Sequence, residues 1–595
     1  MDVARRTLAG TATIRFMALA AGSAFTALSL RPAFIPLIFI LSILLNYIQA
    51  NVGRPQFAWR CFVLLATLSV ATLTAFWRST WSALSAQNFL SGGALLVVSL
   101  TFCFVALVPI VIHARARAYV GSQSPLSGLL LFPTLWATTW SLFVYISPLG
   151  RIGTWSPMTG MEAYAWVTPI FGQAGIDYVT ALWAVVLAEF TGKWIMGPEV
   201  EGNHESPGHG DCEDFLTPRN NSTHDSRQGH SSKLYILGLL MLGVIPSYYT
   251  PILPLPIHSE NVTELTVSCV FPYVYDAGRR PSLADYLAET RTQASRAKVV
   301  LWPEGAVSFR TDKERVDVLE EVSKIANQQK AWIGIGYEQE FSNGKEQVLG
   351  KRVRGHNGLV VIGPDVQPVT YIKRKLVPLV ESFSFESSID PPPRYPILLP
   401  MPKSHPKSDK ENWPRTIPIS SAICLDVSAP LATSVPVNQT DLAPPALILA
   451  PARTWHPEVG KAMFQHASMR AIEQGTSILW CDGGEGGVSG VGGLASQGLG
   501  LVGGIGQVGT GGSWVNTIGI PFPYDANTFT PTWYARWGDL SIIFLSWAML
   551  GVGPMAPAVR QVSRLAGLVV GRLRHGGNDQ VTQHNEATPL LIDTA

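Results

Sequence analysis

Val299-Val300-Leu301-Trp302-Pro303-Glu304-Gly305-Ala306 is a run of β-formers that ends abruptly in Trp-Pro-Glu. The pattern predicts a buried strand with a carboxylate held at its tip and an apolar wall behind it. Two later stretches have the same build. Tyr371-Ile372-Lys373-Arg374-Lys375-Leu376-Val377-Pro378 puts an ammonium at a strand end and is followed by Glu381. Ile417-Pro418-Ile419-Ser420-Ser421-Ala422-Ile423-Cys424-Leu425-Asp426 does the same for a thiol. Glu304, Lys373 and Cys424, each near the end of an apolar strand, are the parts of a thiol acyl-transfer site.

Around these stretches, from about 262 onward, short β-rich runs alternate with amphipathic ones. The strand-like runs are 264–275, 299–302, 331–337, 358–362, 416–424, 446–450 and 477–481. The helix-like runs are 282–295, 313–328 and 458–474. That alternation predicts an α/β domain over 255–538, long enough for a full core. Two stretches interrupt it. Residues 390–414 are Pro-, Lys- and Ser-rich and read as an exposed insert. Residues 483–512 are dominated by Gly and read as a flexible loop; their two GxGxxG matches lack the helix that a dinucleotide site requires.

The rest of the 595-residue chain is apolar. Charged residues are 14%, against about 25% in soluble proteins, and the mean hydropathy is +0.20. Spans of about 18 residues with few charges predict membrane helices. Seven lie in the N-terminal region 1–254, at roughly 12–30, 33–50, 59–77, 93–114, 126–147, 176–197 and 234–252. An eighth, the last helix, falls in 539–558. A His- and Asn-rich segment, 199–232, reads as an unstructured cytosolic linker, and 559–595 as a basic, disordered cytosolic tail. Arg54, Arg60, Arg115, Arg117, Arg219, Arg227 and Lys233 fall on one side, with Arg560, Arg564, Arg572 and Arg574 of the tail. Only Arg31, Arg78 and Arg151 fall on the other. This bias predicts cytosolic termini and an exoplasmic (luminal or periplasmic) 255–538. Asn261 and Asn438 open sequons that would then face a glycosylating compartment.

Several classes are excluded or disfavoured. A net charge of +2 argues against nucleic acid. The six cysteines show no CxxC pair and no metal-ligand spacing, so neither a disulfide framework nor a metal is expected, and no cofactor.

A cysteine attacks carbonyls as thiolate and needs a base or a positive charge beside it. Glu304 can take the thiol proton and return it to a leaving group. Lys373 can stabilise the thiolate and the oxyanion of the tetrahedral intermediate, with the backbone N–H of Leu425 as a second donor. Glu381 and Asp426 can orient Lys373 or carry a second proton. His456 lies in a loop that can line the substrate mouth, whereas His466 reads as a packing residue on a helix. Each residue alone has a plain structural reading; three of them at like strand ends in one domain raise the chemical one.

Trp-Pro-Glu-Gly-Ala, then Tyr-x-Lys-x-x-Leu-Val-Pro-x-x-Glu, then Ile-Cys-x-Asp, in that order, resembles the carbon–nitrogen hydrolase (nitrilase) superfamily. With its membrane frame the chain is more closely similar to the apolipoprotein N-acyltransferases, over about 12–558. The later stretches Gln465–Glu473 and Thr532–Asp539 are similar to that family's helix after the cysteine and its lead-in to the last helix. The resemblance implies an α-helical transmembrane bundle of about eight helices carrying an exoplasmic nitrilase-like αββα sandwich. It implies Glu304 as general base, Lys373 as oxyanion stabiliser, Cys424 as nucleophile and Glu381 as a second carboxylate. The partners it implies are a membrane phospholipid acyl donor and an amine acceptor, in the family a lipoprotein N-terminus. Leu425-Asp426, Thr454-Trp455-His456-Pro457 and Gly475-Thr476-Ser477 depart from the family's pattern and bear on the acceptor. The alternatives are a membrane-anchored amidase with the same triad and a non-catalytic membrane scaffold.

Overall fold

The computed structural model describes residues 16–80 (except 18 and 26), 88–196, 223–257, 261–272, 281–340, 347–348, 351–352, 355–378, 380–401, 413–430, 435–436, 443–485, 487–494, 512–524 and 531–551. The tail 559–595, the Asn438 sequon and most of the linker and the Gly-rich run lie outside the described residues.

The α/β part is two mixed sheets packed face to face. In the first, β1 (Val262–Cys269), β2 (Val299–Leu301), β4 (Trp332–Glu340), β7 (Gly355–Ile362) and β8 (Val369–Ile372) follow one another. At its edge β16 (Trp514–Pro521) pairs with β1; β3 (Val307–Phe309) joins β4 and β9 (Phe385–Glu386) joins β7. The second runs β12 (Val435–Pro436), β10 (Pro393–Leu399), β11 (Arg415–Ser421), β13 (Leu447–Ala452), β14 (Ser477–Asp482), β15 (Gly490–Gly492). A two-residue hairpin, β5 (Gln347–Val348) and β6 (Lys351–Arg352), stands apart.

Central strands are buried on both faces, which is why they read as continuous apolar runs. Val299 and Leu301 enter the core between the sheets with Ile419, Leu447 and Leu479. Val300 and Trp302, one residue out of phase, enter a second core beneath the outer helices α7 (Leu283–Ala294) and α8 (Asp312–Gln329). Helix α9 (Pro457–Gln474) covers the other sheet. The layers are therefore helix, sheet, sheet, helix, as the resemblance implies.

Two expectations for this part are corrected. Residues 393–399 do not belong to an exposed insert: they form β10, antiparallel to β11 in the second sheet. The two prolines of β10 had hidden its alternation, with Tyr395, Ile397 and Leu399 buried. Second, Cys269 and Cys481 form a disulfide between β1 and β14, joining one sheet to the other, with Cα atoms 5.6 Å apart. The pair is 212 residues apart in sequence, and no local spacing signals it.

In the helical part, five helices among the described residues are long and apolar enough to cross a membrane. They are α1 (Phe34–Asn51), α2 (Phe57–Thr80), α3 (Asn88–Gln123), α4 (Pro125–Ile146) and α5 (Val167–Met196). The expected eight are not all present as such spans. Helical residues between 16 and 27 are described only in part. Helix α6 (Thr223–Leu242) begins inside the expected linker and stops before Pro246, where a 3-10 turn (Ile245–Tyr249) replaces it; its apolar part is short. A five-residue helix, α10 (Trp533–Trp537), precedes the last helix, α11, which is described over Leu540–Gly551 and is short as well. The long helices carry large apolar side chains on their outer faces: Ile35, Trp59, Val97 and Leu142 are all more than half exposed.

The odd ends of the spans gather at the α/β part. Arg31, before α1, pairs with Glu458 of α9 at 3.1 Å. The Trp455 indole donates to the Ser79 carbonyl near the end of α2. After α4, the Arg151 backbone N–H donates to the Ser428 carbonyl at 2.7 Å. Helix α5 breaks at Gly172 (φ +62), where the Tyr534 ring leaves no room for a Cβ. The Gln173 N–H freed by that break donates to Glu473 of α9 at 2.9 Å. Two of the three arginines expected on the minority side, Arg31 and Arg151, are thus engaged at the α/β end. At the opposite end Arg117 and Lys233 both pair with Glu189.

Candidate active site

Strand ends bring the predicted groups together. Glu304 follows β2, Lys373 follows β8 and Cys424 follows β11. The turn that carries Glu304 lies against β4, and Gly336 makes this possible: a Cβ there would fall 2.1 Å from the Pro303 carbonyl oxygen. Lys373 is fully buried, with Nζ 2.6 Å from Glu304 Oε1 and 2.8 Å from both carboxylate oxygens of Glu381. Glu381 is fixed in turn by the Val377 N–H, at 2.8 Å.

Asn357 of β7 completes this set. Its Nδ2 donates to Glu304 Oε1 at 2.8 Å and to Glu381 Oε1 at 3.2 Å. Its carbonyl accepts from the Lys373 N–H. Sequence reading misses it, since one polar residue beside Gly355 and Gly358 in a strand gives no motif.

Cys424 opens a 3-10 turn, Cys424–Ser428, and has φ +42, a left-handed conformation rare for a residue with a side chain. Such strain persists only where the surroundings impose it, and it clusters at functional sites. Here Asp426 imposes it. Its carboxylate accepts from the Ile423 N–H at 2.9 Å, the Lys375 N–H at 2.8 Å and the Tyr371 hydroxyl at 2.8 Å. Asp426 thus ties the cysteine turn to the lysine strand and does not touch Lys373 Nζ by any hydrogen bond described. Leu425 is buried within the same turn.

Electrostatics follow from this crowding. Burial drives the Cys424 thiol well above its usual range; Glu304 and Glu381 add to this, while Lys373 and a hydrogen bond from the Arg453 backbone oppose it. The resting group is therefore a thiol. Burial would lower Lys373, but Glu304, Cys424 and Glu381 outweigh it and hold the ammonium firmly protonated. Burial also raises Glu381, against the pull of Lys373. A protonatable carboxylate, a fixed cation and a strained thiol within mutual electrostatic reach can carry out nucleophilic substitution at a carbonyl.

His456 caps α9: its Nδ1 accepts from the Glu458 N–H at 3.2 Å. His466 is buried beneath the same helix and, by burial and the nearby Arg470 and Arg151, pushed down to about 3. The loop before α9 is held by Asp482, missed in the sequence, which accepts from the Thr454 N–H and hydroxyl and from the Gly484 N–H. No group of three or more potential metal ligands occurs among the described residues.

No family model matches the sequence, and no curated relative matches it. Solved structures do. A carbon–nitrogen hydrolase superfamily protein from Xanthomonas campestris, XC1258, with an arsenic adduct in its active site, is 17% identical, with a TM-score of 0.29. The match covers 44% of this chain and 91% of that one. An amidase from Nesterenkonia sp. is 16% identical, with a TM-score of 0.28, over 46% of this chain and 95% of its own. A variant of the Nesterenkonia sp. AN1 amidase in complex with butyramide is 15% identical, with a TM-score of 0.29, over 45% and 95%.

Proposed function

We propose that this chain is a membrane N-acyltransferase. It takes a fatty acyl group from a phospholipid as a thioester on Cys424 and passes it to an amine such as a lipoprotein N-terminus. The observation that carries the reading is the joint placement of Cys424. Its turn lies beside the Glu304–Lys373–Glu381 set and is bonded, at Ser428, to the loop after a membrane-length helix. A donor confined to the bilayer and a nucleophile fastened to the helices suit each other. The buried disulfide supports an oxidising compartment, hence an exoplasmic site, and the exposed Asn261 suits a modified sequon.

In the first step Glu304 takes the thiol proton as sulfur attacks the ester carbonyl. The oxyanion forms within reach of the Lys373 ammonium. The C–O bond then breaks, Glu304 returns its proton to the departing lysophospholipid oxygen, and the thioester remains. In the second step an uncharged amine attacks the thioester, the C–S bond breaks, and one amine proton passes by way of Glu304 to the sulfur.

The test uses full-length protein in native membranes with a phospholipid carrying an alkyne-tagged acyl chain. Label is expected on wild type and not on Cys424→Ala; equal labelling of that variant sinks the proposal. Mass spectrometry of the product decides between transfer and hydrolysis: free fatty acid alone would mean an amidase-like or esterase-like enzyme instead.

A further inference from the structure

A second ion pair lies beside the proposed nucleophile, outside the set described above. Glu338 of β4 is the direct cross-strand partner of Asn357 on β7, so its side chain shares that residue's face of the sheet. Its carboxylate lies over the Glu304-Gly305 turn: a Cβ on Gly305, which has φ +61, would come within 2.8 Å of Glu338 Oε1. Its polar neighbours are distant. Ser308 Oγ is 3.5 Å away and Arg453 Nη1 is 3.8 Å away. Both members are open to solvent, Glu338 at 31% and Arg453 at 40% of the side chain.

The charges there do not cancel. Three carboxylates, Glu304, Glu338 and Glu381, face two cations, Lys373 and Arg453. Lys373 is already occupied by the two inner carboxylates. The outer carboxylate is both the loosely held one and the accessible one. A cationic group would be drawn to an excess of carboxylates.

We infer that Glu338 is the docking residue for the ammonium group of the acceptor, an inference that rests on the acyltransfer reading above. The ammonium binds at Glu338 in exchange for the long contact to Arg453. It gives one proton to solvent through the open mouth. The neutral amine then attacks the Cys424 thioester: the N–C bond forms, the C–S bond breaks, and the second proton reaches the leaving sulfur through Glu304. Glu338 acts on binding, not on the reacting atoms.

The test compares two nucleophiles on the preformed acyl-enzyme of the full chain. One is a short peptide with a free N-terminal amine, cationic at pH 7.5; the other is hydroxylamine, uncharged there. Glu338→Gln is expected to lower the ratio of peptide discharge to hydroxylamine discharge at least tenfold at subsaturating peptide, through KM. Glu338→Asp should restore part of it, and Arg453→Gln, which removes the competing cation, should move the ratio the other way. In the wild-type protein, raising salt from about 50 to 500 mM should raise KM for the peptide several-fold and leave hydroxylamine discharge alone. An unchanged ratio in Glu338→Gln, or a salt-independent peptide KM should that variant not fold, overturns the docking role. Absence of any Cys424 acyl-enzyme in wild type overturns the acyltransfer reading, and the docking role with it.

Discussion

Two of the charge clusters buried among the described residues are built differently. One is Glu304, Lys373, Glu381 and Cys424 at the strand ends. The other joins the helices to the α/β part. There, Arg151 pairs with Asp177 of α5 at 3.1 Å and with Asp539, just before α11, at 3.3 Å. Ser156 also donates to Asp177, and the Tyr534 hydroxyl to Asp539. Beside them Arg470 pairs with Glu473 on α9. Side-chain exposure is at most 1% for Arg151, Asp177, Asp539, Arg470 and Glu473. In the strand-end cluster it rises outward, from 0% at Lys373 through 5% at Glu304 to 14% at Glu381. A sealed ion cluster can only hold parts together; one with a graded opening can exchange protons and bind reactants.

The sharpest test of that contrast is Lys373→Met. It leaves two carboxylates buried without a cation, which costs about 3–5 kcal/mol, and should cut acyl-enzyme formation at least about a thousandfold. Adding Glu304→Gln and Glu381→Gln should recover the melting temperature and none of the labelling. Arg151→Met should be comparably destabilising, about 3–5 kcal/mol. Here the added changes Asp177→Asn and Asp539→Asn should bring back stability and labelling together. If labelling stayed absent in that refolded triple variant, the sealed cluster would have a chemical role and the contrast would fail.

A smaller effect is expected at Asp426→Asn, where one acceptor serving four donors is weakened: about 1–2 kcal/mol and a slower acylation with unchanged chemistry of discharge, read by pre-steady-state labelling.

The mildest test is a pH scan of stability. Burial, only partly offset by Arg470 and Arg151, raises Glu473 to about 7. A raised folded value means that its contribution is full below about 4.5 and is lost as pH climbs through about 7. Glu473→Gln should therefore flatten the fall in melting temperature across that window by several degrees. His466 slopes the other way: depressed to about 3, its contribution is present above about 6.5 and is lost as pH falls toward 3. Scans of the single variants separate the two.

Much of the first cluster was legible in the sequence because each member ends a run of strand residues, and strand ends in a sandwich meet. Partners that sit inside strands were not. Asn357 and Glu338 look like ordinary alternation, and only register makes them neighbours. Asp426 was read as a possible partner of Lys373; the fold gives it backbone donors instead, from the cysteine turn and from the segment just after Lys373. The second cluster was illegible. Arg151 and Asp539 are 388 residues apart, and a single arginine in a loop between spans reads as a topology marker. The capping role of His456 was not read either: Thr-Trp-His-Pro is a loop by composition, and the proline at the start of α9 makes its histidine a cap.

The pairing of β1 with β16 has one more implication. Val262 stands opposite Pro521, so the polypeptide enters and leaves the sandwich side by side, through adjacent strands of one edge. A module whose two ends coincide can be spliced into a host chain without stretching it. The helices on either side, α6 and α11, would then be halves of one older frame interrupted by a guest. Joining their sequences with a short flexible connector should leave a frame that inserts without the guest, and circularly permuting the guest at that edge should leave its interior undisturbed.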